Sequence, residues 1–347
     1  MKIALVTDAW HPQVNGVVRT LETVIGELRQ RGHEVDVTSP DQFPSMPAPS
    51  YPEIRLAFTG MRALATRLER FAPDTIHIAT EGPLGWAARH YCLRGKLPFS
   101  TAYHTQFPDY VARRTGMPAS LFWPMIRRFH APAVRTMVAT GTIRAELTAQ
   151  GIGPLHHWSR GVDVGTFHPD HAPPDLFFPL PRPIQLYVGR IAVEKNIEAF
   201  LSNTHPGSKV VVGCGPALER LQAQFPQAYF VGKQSGHALA ACYAGADVFV
   251  FPSRTDTFGL VMIESLACGT PVAAYPVPGP LDVLQPQSGA MAERLEDAIA
   301  QALRLDRRRC HALGRAFTWA ASADQFLDGL APMARAVIPE ELVRASA

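Results

Sequence analysis

Charge is scarce in this chain: Asp, Glu, Lys and Arg make up 18% of its 347 residues, against roughly 25% in an average soluble protein. No block of like charges and no sustained heptad occurs, which excludes a solvated charged tail and a coiled coil. No apolar run approaches the roughly 18 residues of a membrane-spanning helix. The five cysteines stand singly, without a C-x-x-C pair or a histidine at metal spacing, and read as reduced, mostly buried small residues. The glycine fingerprint G-x-G-x-x-G does not follow the first strand-like segment, which argues against a dinucleotide-dependent dehydrogenase. The opening segment MKIALVTDAW turns polar after six residues. That is too short for the apolar core of a signal peptide, so a cytoplasmic location is expected.

Proline, by contrast, is abundant at 31 residues, where an average of ~5% would give about half that number. Length and composition together indicate two compact α/β domains with many irregular connections. The formal net charge of +3 hides an asymmetry. Residues 1–165 hold 18 Lys plus Arg and 13 Asp plus Glu, or +5, so the remainder carries −2. From Arg55 to Arg144 the balance is 13 − 4 = +9.

Residues 2–7 (KIALVT) have strand character, and Val18, Leu21, Val24, Ile25 and Leu28 recur at helical spacing before Gly32, a C-terminal cap candidate. HEVDVTS follows as a second strand. Strand, helix and strand within about forty residues form a βαβ unit, so a parallel sheet is expected. The alternation continues to about residue 139, breaks over the proline-rich segment 154–183, and resumes with IQLYVG, KVVVG, AYFVG, DVFVFPS and TPVAAYP. The expected organisation is an N-terminal domain over 1–165, a C-terminal domain over 166–330, and a segment 331–347 that crosses back to the first. Ligands of such sheets bind beyond the carboxyl ends of the strands, so a cleft between two facing domains is expected.

Four segments carry chemistry. Gly16 ends the loop after the first strand and opens a helix, where backbone amides suit a phosphate; a plain turn glycine is the alternative. Arg190 and Lys195, in VGRIAVEKN, stand between a strand and a helix, where both can reach one diphosphate; solvated surface cations are the alternative. Gly213, in VVVGCGP, permits close backbone approach but equally makes a tight turn. In SRTDTFGLVMIESLACGTPVAA, Asp256 and Glu264 are eight residues apart. Glu264 lies among apolar residues of a helix and requires a hydrogen-bond donor, which a ribose or sugar hydroxyl supplies as well as a protein group does. The backbone of Phe258, Gly259 and Leu260 adds N–H groups at that helix start.

These segments, with DAWHPQVNGVVRTL, YHTQFPDY and SRGVDVGTFHP, resemble the retaining nucleotide-sugar glycosyltransferases of family 4, whose architecture is GT-B: two Rossmann-like parallel-sheet domains facing each other across a cleft. The resemblance extends over nearly the whole chain and includes bacterial lipid glycosyltransferases and GDP-mannose-dependent α-mannosyltransferases. It implies that Gly16 sits by the donor phosphates, His104 faces the transferred sugar, Arg190 and Lys195 neutralise the leaving diphosphate, and Glu264 holds the ribose. The backbone at 258–260 would meet sugar hydroxyls or phosphate. Asp256 departs from the family's usual Glu, which bears on the identity of the sugar. Prepositioned cations favour the charge that develops as the anomeric bond breaks, so no metal cofactor is expected, in keeping with the missing D-x-D pair. His104 also reads as a core histidine; His11 and Glu81 are weaker candidates for the site.

The acceptor is expected on the first domain. Over residues 113–135, Arg113, Arg114, Arg127 and Arg128 mix with Trp123 and other apolar groups, a composition suited to an anionic membrane surface. A helix packed on its own domain is the alternative, and Pro124 and Pro132 count against a regular helix. The leading expectation is a peripheral enzyme on the inner face of the plasma membrane, moving a hexose from a nucleotide-diphosphate sugar to diacylglycerol or a glycolipid. A GDP-mannose-dependent α-mannosyltransferase or other hexosyltransferase acting on a soluble or polysaccharide acceptor is the alternative. A nucleic-acid-binding protein could use the same basic surface, but it would leave the site-like carboxylates unexplained.

Overall fold

The structure is a computed structural model and describes residues 1–13, 15–48, 51–58, 61–106, 108, 112 and 116–333. The chain divides into two compact units: Met1–Ser159 with the described residues from Ala320 on, and Arg160–Trp319.

In the first unit, β1 (Lys2–Val6), β2 (Glu34–Thr38), β5 (Thr75–Ile78), β6 (Ser100–Tyr103), β7 (Arg135–Val138) and β8 (Leu155–His157) form a parallel sheet in the order β2-β1-β5-β6-β7-β8. A hairpin of β3 (Ser45–Ala48) and β4 (Tyr51–Ala57) lies outside this sheet. The helix Gly16–Gln30 buries Val18, Leu21, Val24, Ile25 and Leu28, the five positions its spacing predicts. Gly32, at φ +82°, closes it: Gly32 N donates to Arg29 O and His33 N to Leu28 O, both at 3.0 Å, a Schellman cap that L-residues with a Cβ resist.

Both free edges of this sheet are covered. Along β2, Arg29 Nη2 donates to Val35 O (2.8 Å), while Arg67 Nη2 (3.2 Å) and Gln42 Nε2 (2.9 Å) donate to Val37 O. Beside β8 runs the helix Trp319–Gly329, whose Gln325 carbonyl bonds His156 and whose side chain accepts from Ser159 N.

The second unit holds β9 (Ile184–Val188), β10 (Ser208–Val212), β11 (Tyr229–Gly232), β12 (Val248–Phe251), β13 (Val272–Ala274) and β14 (Gly289–Met291), all parallel, in the order β11-β10-β9-β12-β13-β14. That is the 3-2-1-4-5-6 order of a dinucleotide-binding sheet. Its core joins Tyr187, Phe200, Val211, Val250, Leu295 and Ile299. The strand order reverses between β9 and β12 here, and between β1 and β5 in the first unit. In open α/β sheets the crevice for ligand opens at such switch points.

Pro124 begins a helix instead of breaking one. The helix Trp123–His130 carries it in the first turn, where a missing N–H costs nothing. No helix among the described residues is long and apolar enough to cross a membrane.

Candidate active site

At the switch point of the second unit, two of the expected donor residues meet. Lys195 ends the short 3-10 turn Val193–Lys195 that follows β9, and its Nζ lies 2.6 Å from Asp256 Oδ1 in the loop after β12. Burial would raise the pKa of Asp256, but the charge and hydrogen bond of Lys195 outweigh that and hold it below the usual carboxylate value. Asp256 Oδ2 and Ser253 Oγ are buried without a hydrogen-bond partner among the described residues. Asn196, at φ +53°, donates from Nδ2 to Pro252 O (3.1 Å), so the same two loops are joined twice.

Arg190 follows β9 directly and is half-buried. Its carbonyl accepts the Tyr187 hydroxyl at 2.9 Å. Burial, reinforced by Asp256 and Glu194, keeps that phenol well above its ordinary pKa, so it serves as a donor that pins the loop.

Glu264 is 2% exposed, inside the helix Leu260–Ala267. Tyr243 donates its hydroxyl to Oε2 at 3.2 Å, a protein donor of the kind its burial demands. Gly259, at φ +85°, caps that helix start, and a Cβ there would meet Met262 Cε at 2.9 Å and Phe251 at 3.0 Å. Phe258 is buried against Phe317. Behind it, Gly279 brings the loop after β13 so close that a Cβ would lie 2.9 Å from Asp256 O.

Gly213 has a packing reason to be glycine. At φ +148°, its Cβ would fall 1.9 Å from Gly189 O, and that of Gly215 would fall 2.4 Å from Ile191 O. The loops after β9 and β10 therefore touch backbone to backbone.

In the first unit, Gly16 opens its helix behind Asn15, whose side chain accepts from Val17 N and Val18 N at 3.0 Å. Two first-turn amides are thus already satisfied. Apolar spacing does not reveal the Asn15 cap, although Asn before a helix start is a recognisable signal. His104, 8% exposed at the end of β6, packs edge-on against Trp158 with ring centroids 5.3 Å apart. His11 pairs with Glu22 near the surface. Trp123 is buried at 7% exposure and stacks on Tyr103, so its ring belongs to the core, not to the exposed face. On that face Leu121, Met125, Arg127 and Arg128 are exposed. Arg113 and Arg114 lie outside the described residues.

Residues 14–166 match the model of Glycosyltransferase Family 4, and residues 182–305 match that of Glycosyl transferases group 1. Over 94% of its length the chain is 32% identical to a GDP-mannose-dependent alpha-mannosyltransferase of Mycobacterium tuberculosis, covering 95% of that protein. The chain belongs to glycosyltransferase family 4. As a family 4 enzyme it is a hexosyltransferase. It is also 28% identical to an alpha-monoglucosyldiacylglycerol synthase of Streptococcus pneumoniae, over 79% of this chain and 71% of that one. Its fold is similar to that of a sucrose-phosphate synthase from Thermosynechococcus elongatus, with a TM-score of 0.75 at 22% identity over the full length of both. The two Rossmann-like parallel sheets are those of the GT-B class.

Proposed function

We propose that this family 4 enzyme moves a hexose from a nucleotide-diphosphate sugar to a hydroxyl of a membrane lipid, with retention at the anomeric carbon. The observation that carries the reading is the Lys195–Asp256 pair at the second unit's switch point, with Asp256 Oδ2 buried and unsatisfied. A buried acceptor without a donor costs about 1–3 kcal/mol, and a sugar hydroxyl would supply one. Lys195, held in place by Asp256, and Arg190 would face the diphosphate, whose negative charge grows as the anomeric bond breaks. Glu264 would hold the ribose, and the amides around Gly259 would meet phosphate or sugar hydroxyls. Gly16 would meet the phosphates and His104 the transferred sugar. Retention follows if a departing phosphate oxygen takes the acceptor's proton on the same face.

The first unit supplies the acceptor side. Exposed Leu121 and Met125 beside Arg127 and Arg128 suit an apolar boundary under anionic head groups, each cation contributing about 1 kcal/mol. The +9 balance between Arg55 and Arg144 extends that attraction, and a peripheral membrane location follows. The relative named for glucosyldiacylglycerol synthesis supports a lipid acceptor, and the one named for GDP-mannose makes that donor the first to try.

The test incubates the protein with GDP-mannose, UDP-glucose, UDP-galactose or UDP-glucuronate and a bacterial lipid extract. The expected product is a lipid-linked α-hexose, identified by mass and anomeric coupling. Transfer to soluble sugars alone, or a β-linked product, would overturn the reading. On anionic vesicles, Arg127→Glu with Arg128→Glu should weaken binding at least tenfold, and unchanged binding would remove the membrane claim.

A further inference from the structure

Glu81 stands in the turn after β5, at the point where the strand order of the first sheet reverses. That turn is fixed by Asp8, which is 8% exposed. Asp8 Oδ1 accepts from Leu84 N at 2.9 Å, and Oδ2 accepts from Gly85 N at 3.2 Å and from Thr80 Oγ1 at 3.0 Å. The Asp8 amide donates to Thr80 Oγ1 at 2.7 Å. A Cβ on Gly82 would sit 2.3 Å from Asp8 Cγ, so the approach requires glycine. The backbone on either side of Glu81 is therefore clamped, and the Glu81 carboxylate takes no part in the clamp.

That carboxylate has a separate support. Glu81 Oε1 lies 3.2 Å from His130 Nε2, His130 Nδ1 lies 2.9 Å from Thr101 Oγ1, and Thr101 Oγ1 lies 3.0 Å from Thr136 Oγ1. An ionised carboxylate only accepts, so Nε2 carries the proton. In the neutral ring Nδ1 then accepts from the Thr101 hydroxyl, which accepts from Thr136. The donors point one way, out of the sheet core toward Glu81. The His130 side chain is fully enclosed, whereas that of Glu81 keeps 14% exposure. Among the described residues Glu81 Oε2 takes no hydrogen bond. The contact thus holds Glu81 in place and leaves its side chain partly exposed at a switch point, where ligands bind.

We propose that Glu81 is an acceptor-binding residue, taking a hydroxyl of the acceptor through Oε2, and that His130 is the positioning residue that orients it. The assignment rests on the transferase reading above. It gives the first unit a directional contact for a polyol or glycerol head group, distinct from the charged face that would draw in the membrane.

The experiment uses phosphatidylcholine–phosphatidic acid vesicles carrying dioleoylglycerol or phosphatidylinositol, with the donor that wild type transfers. Glu81→Gln should lower kcat/KM for the vesicle acceptor at least tenfold, while the donor KM and the slow hydrolysis of donor without vesicles stay within twofold. His130→Asn should show the same acceptor-side loss in smaller measure. Glu81→Asp, which keeps the charge that faces His130, tests the position if the Gln variant does not fold, and should again lose acceptor efficiency alone. Acceptor kinetics equal to wild type in Glu81→Gln, or in Glu81→Asp should it stand in, would overturn the proposal, as would equal losses on the donor and acceptor sides. If wild type transfers no sugar from any donor, the transferase reading fails; if it transfers and a folded Glu81 variant matches it, only the assignment of Glu81 fails.

Discussion

Lys195 Nζ and Asp256 Oδ1 lie 2.6 Å apart, joining the loop after β9 to the loop after β12 at the reversal of the second sheet. The pair orients the ammonium and also offsets part of its charge. Lys195→Ala should lower kcat/KM for the donor about 100-fold, the scale of losing one prepositioned electrostatic contact. Asp256→Asn should raise the donor KM, because it releases Lys195 and replaces a carboxylate oxygen with an amide. The pKa of Asp256 is lowered by Lys195 against the effect of burial. The pair's stabilisation is therefore complete above the ordinary carboxylate pKa and is lost only as pH falls through the depressed folded value. Steady-state kinetics from pH 5 to 8 should show no limb that Asp256→Asn removes.

His77 makes stability depend on pH through its burial. It is fully buried beside Trp158 and Phe326, bonds Ser100 Oγ through Nδ1 at 2.9 Å, and burial lowers its pKa from 6.5 to about 3. Below about pH 6.5 the unfolded imidazole binds a proton that the folded one refuses, so stability falls with pH until the folded pKa is reached. This group alone should cost about 2 kcal/mol between pH 7 and 5. Urea denaturation of His77→Gln at both pH values should show a pH dependence smaller by about that amount. An unchanged dependence would refute the burial argument.

Two glycines should respond oppositely to alanine. Gly213→Ala places a Cβ 1.9 Å from Gly189 O at φ +148°, and about 3 kcal/mol of destabilisation is expected. Gly26 lies inside the helix Gly16–Gln30 with nothing within 4 Å of its ideal Cβ. Gly26→Ala should stabilise by roughly 0.5–1 kcal/mol through helix propensity. Denaturation midpoints check both signs.

The thiols should separate by reactivity. Burial pushes Cys92 and Cys268 to about 12 and Cys242 and Cys310 to about 11, while Cys214 is exposed. Iodoacetamide at neutral pH should label Cys214 in the folded protein and all five cysteines after denaturation. Rapid labelling of a second site by peptide mass mapping would contradict the burial.

Local patterns were the legible part of the sequence. The five apolar positions of the helix Gly16–Gln30 and its Gly32 cap could be read because their partners lie within a few residues. Arg190, Lys195 and Asp256 were legible as candidates because each lies in a loop that follows an apolar strand, at the carboxyl end of a parallel sheet. What escaped was long-range and polar. Asp8 bonds groups 72 to 77 residues away, and Glu81 meets His130 across 49 residues, with no periodicity to announce either contact. Trp123 read as an interfacial aromatic because composition does not tell which side of a helix faces Tyr103. Pro124 read as a helix breaker, although at a first turn it is a starter.

The arginines and glutamine along β2 have a consequence for how this chain behaves among its copies. A bare strand edge invites another backbone to dock and extend the sheet. Here the Val35 and Val37 carbonyls are already taken by Arg29, Arg67 and Gln42, and the opposite margin lies under the helix Trp319–Gly329. An incoming strand would find its acceptors occupied, so the first sheet is built to end at six strands even where the protein becomes concentrated.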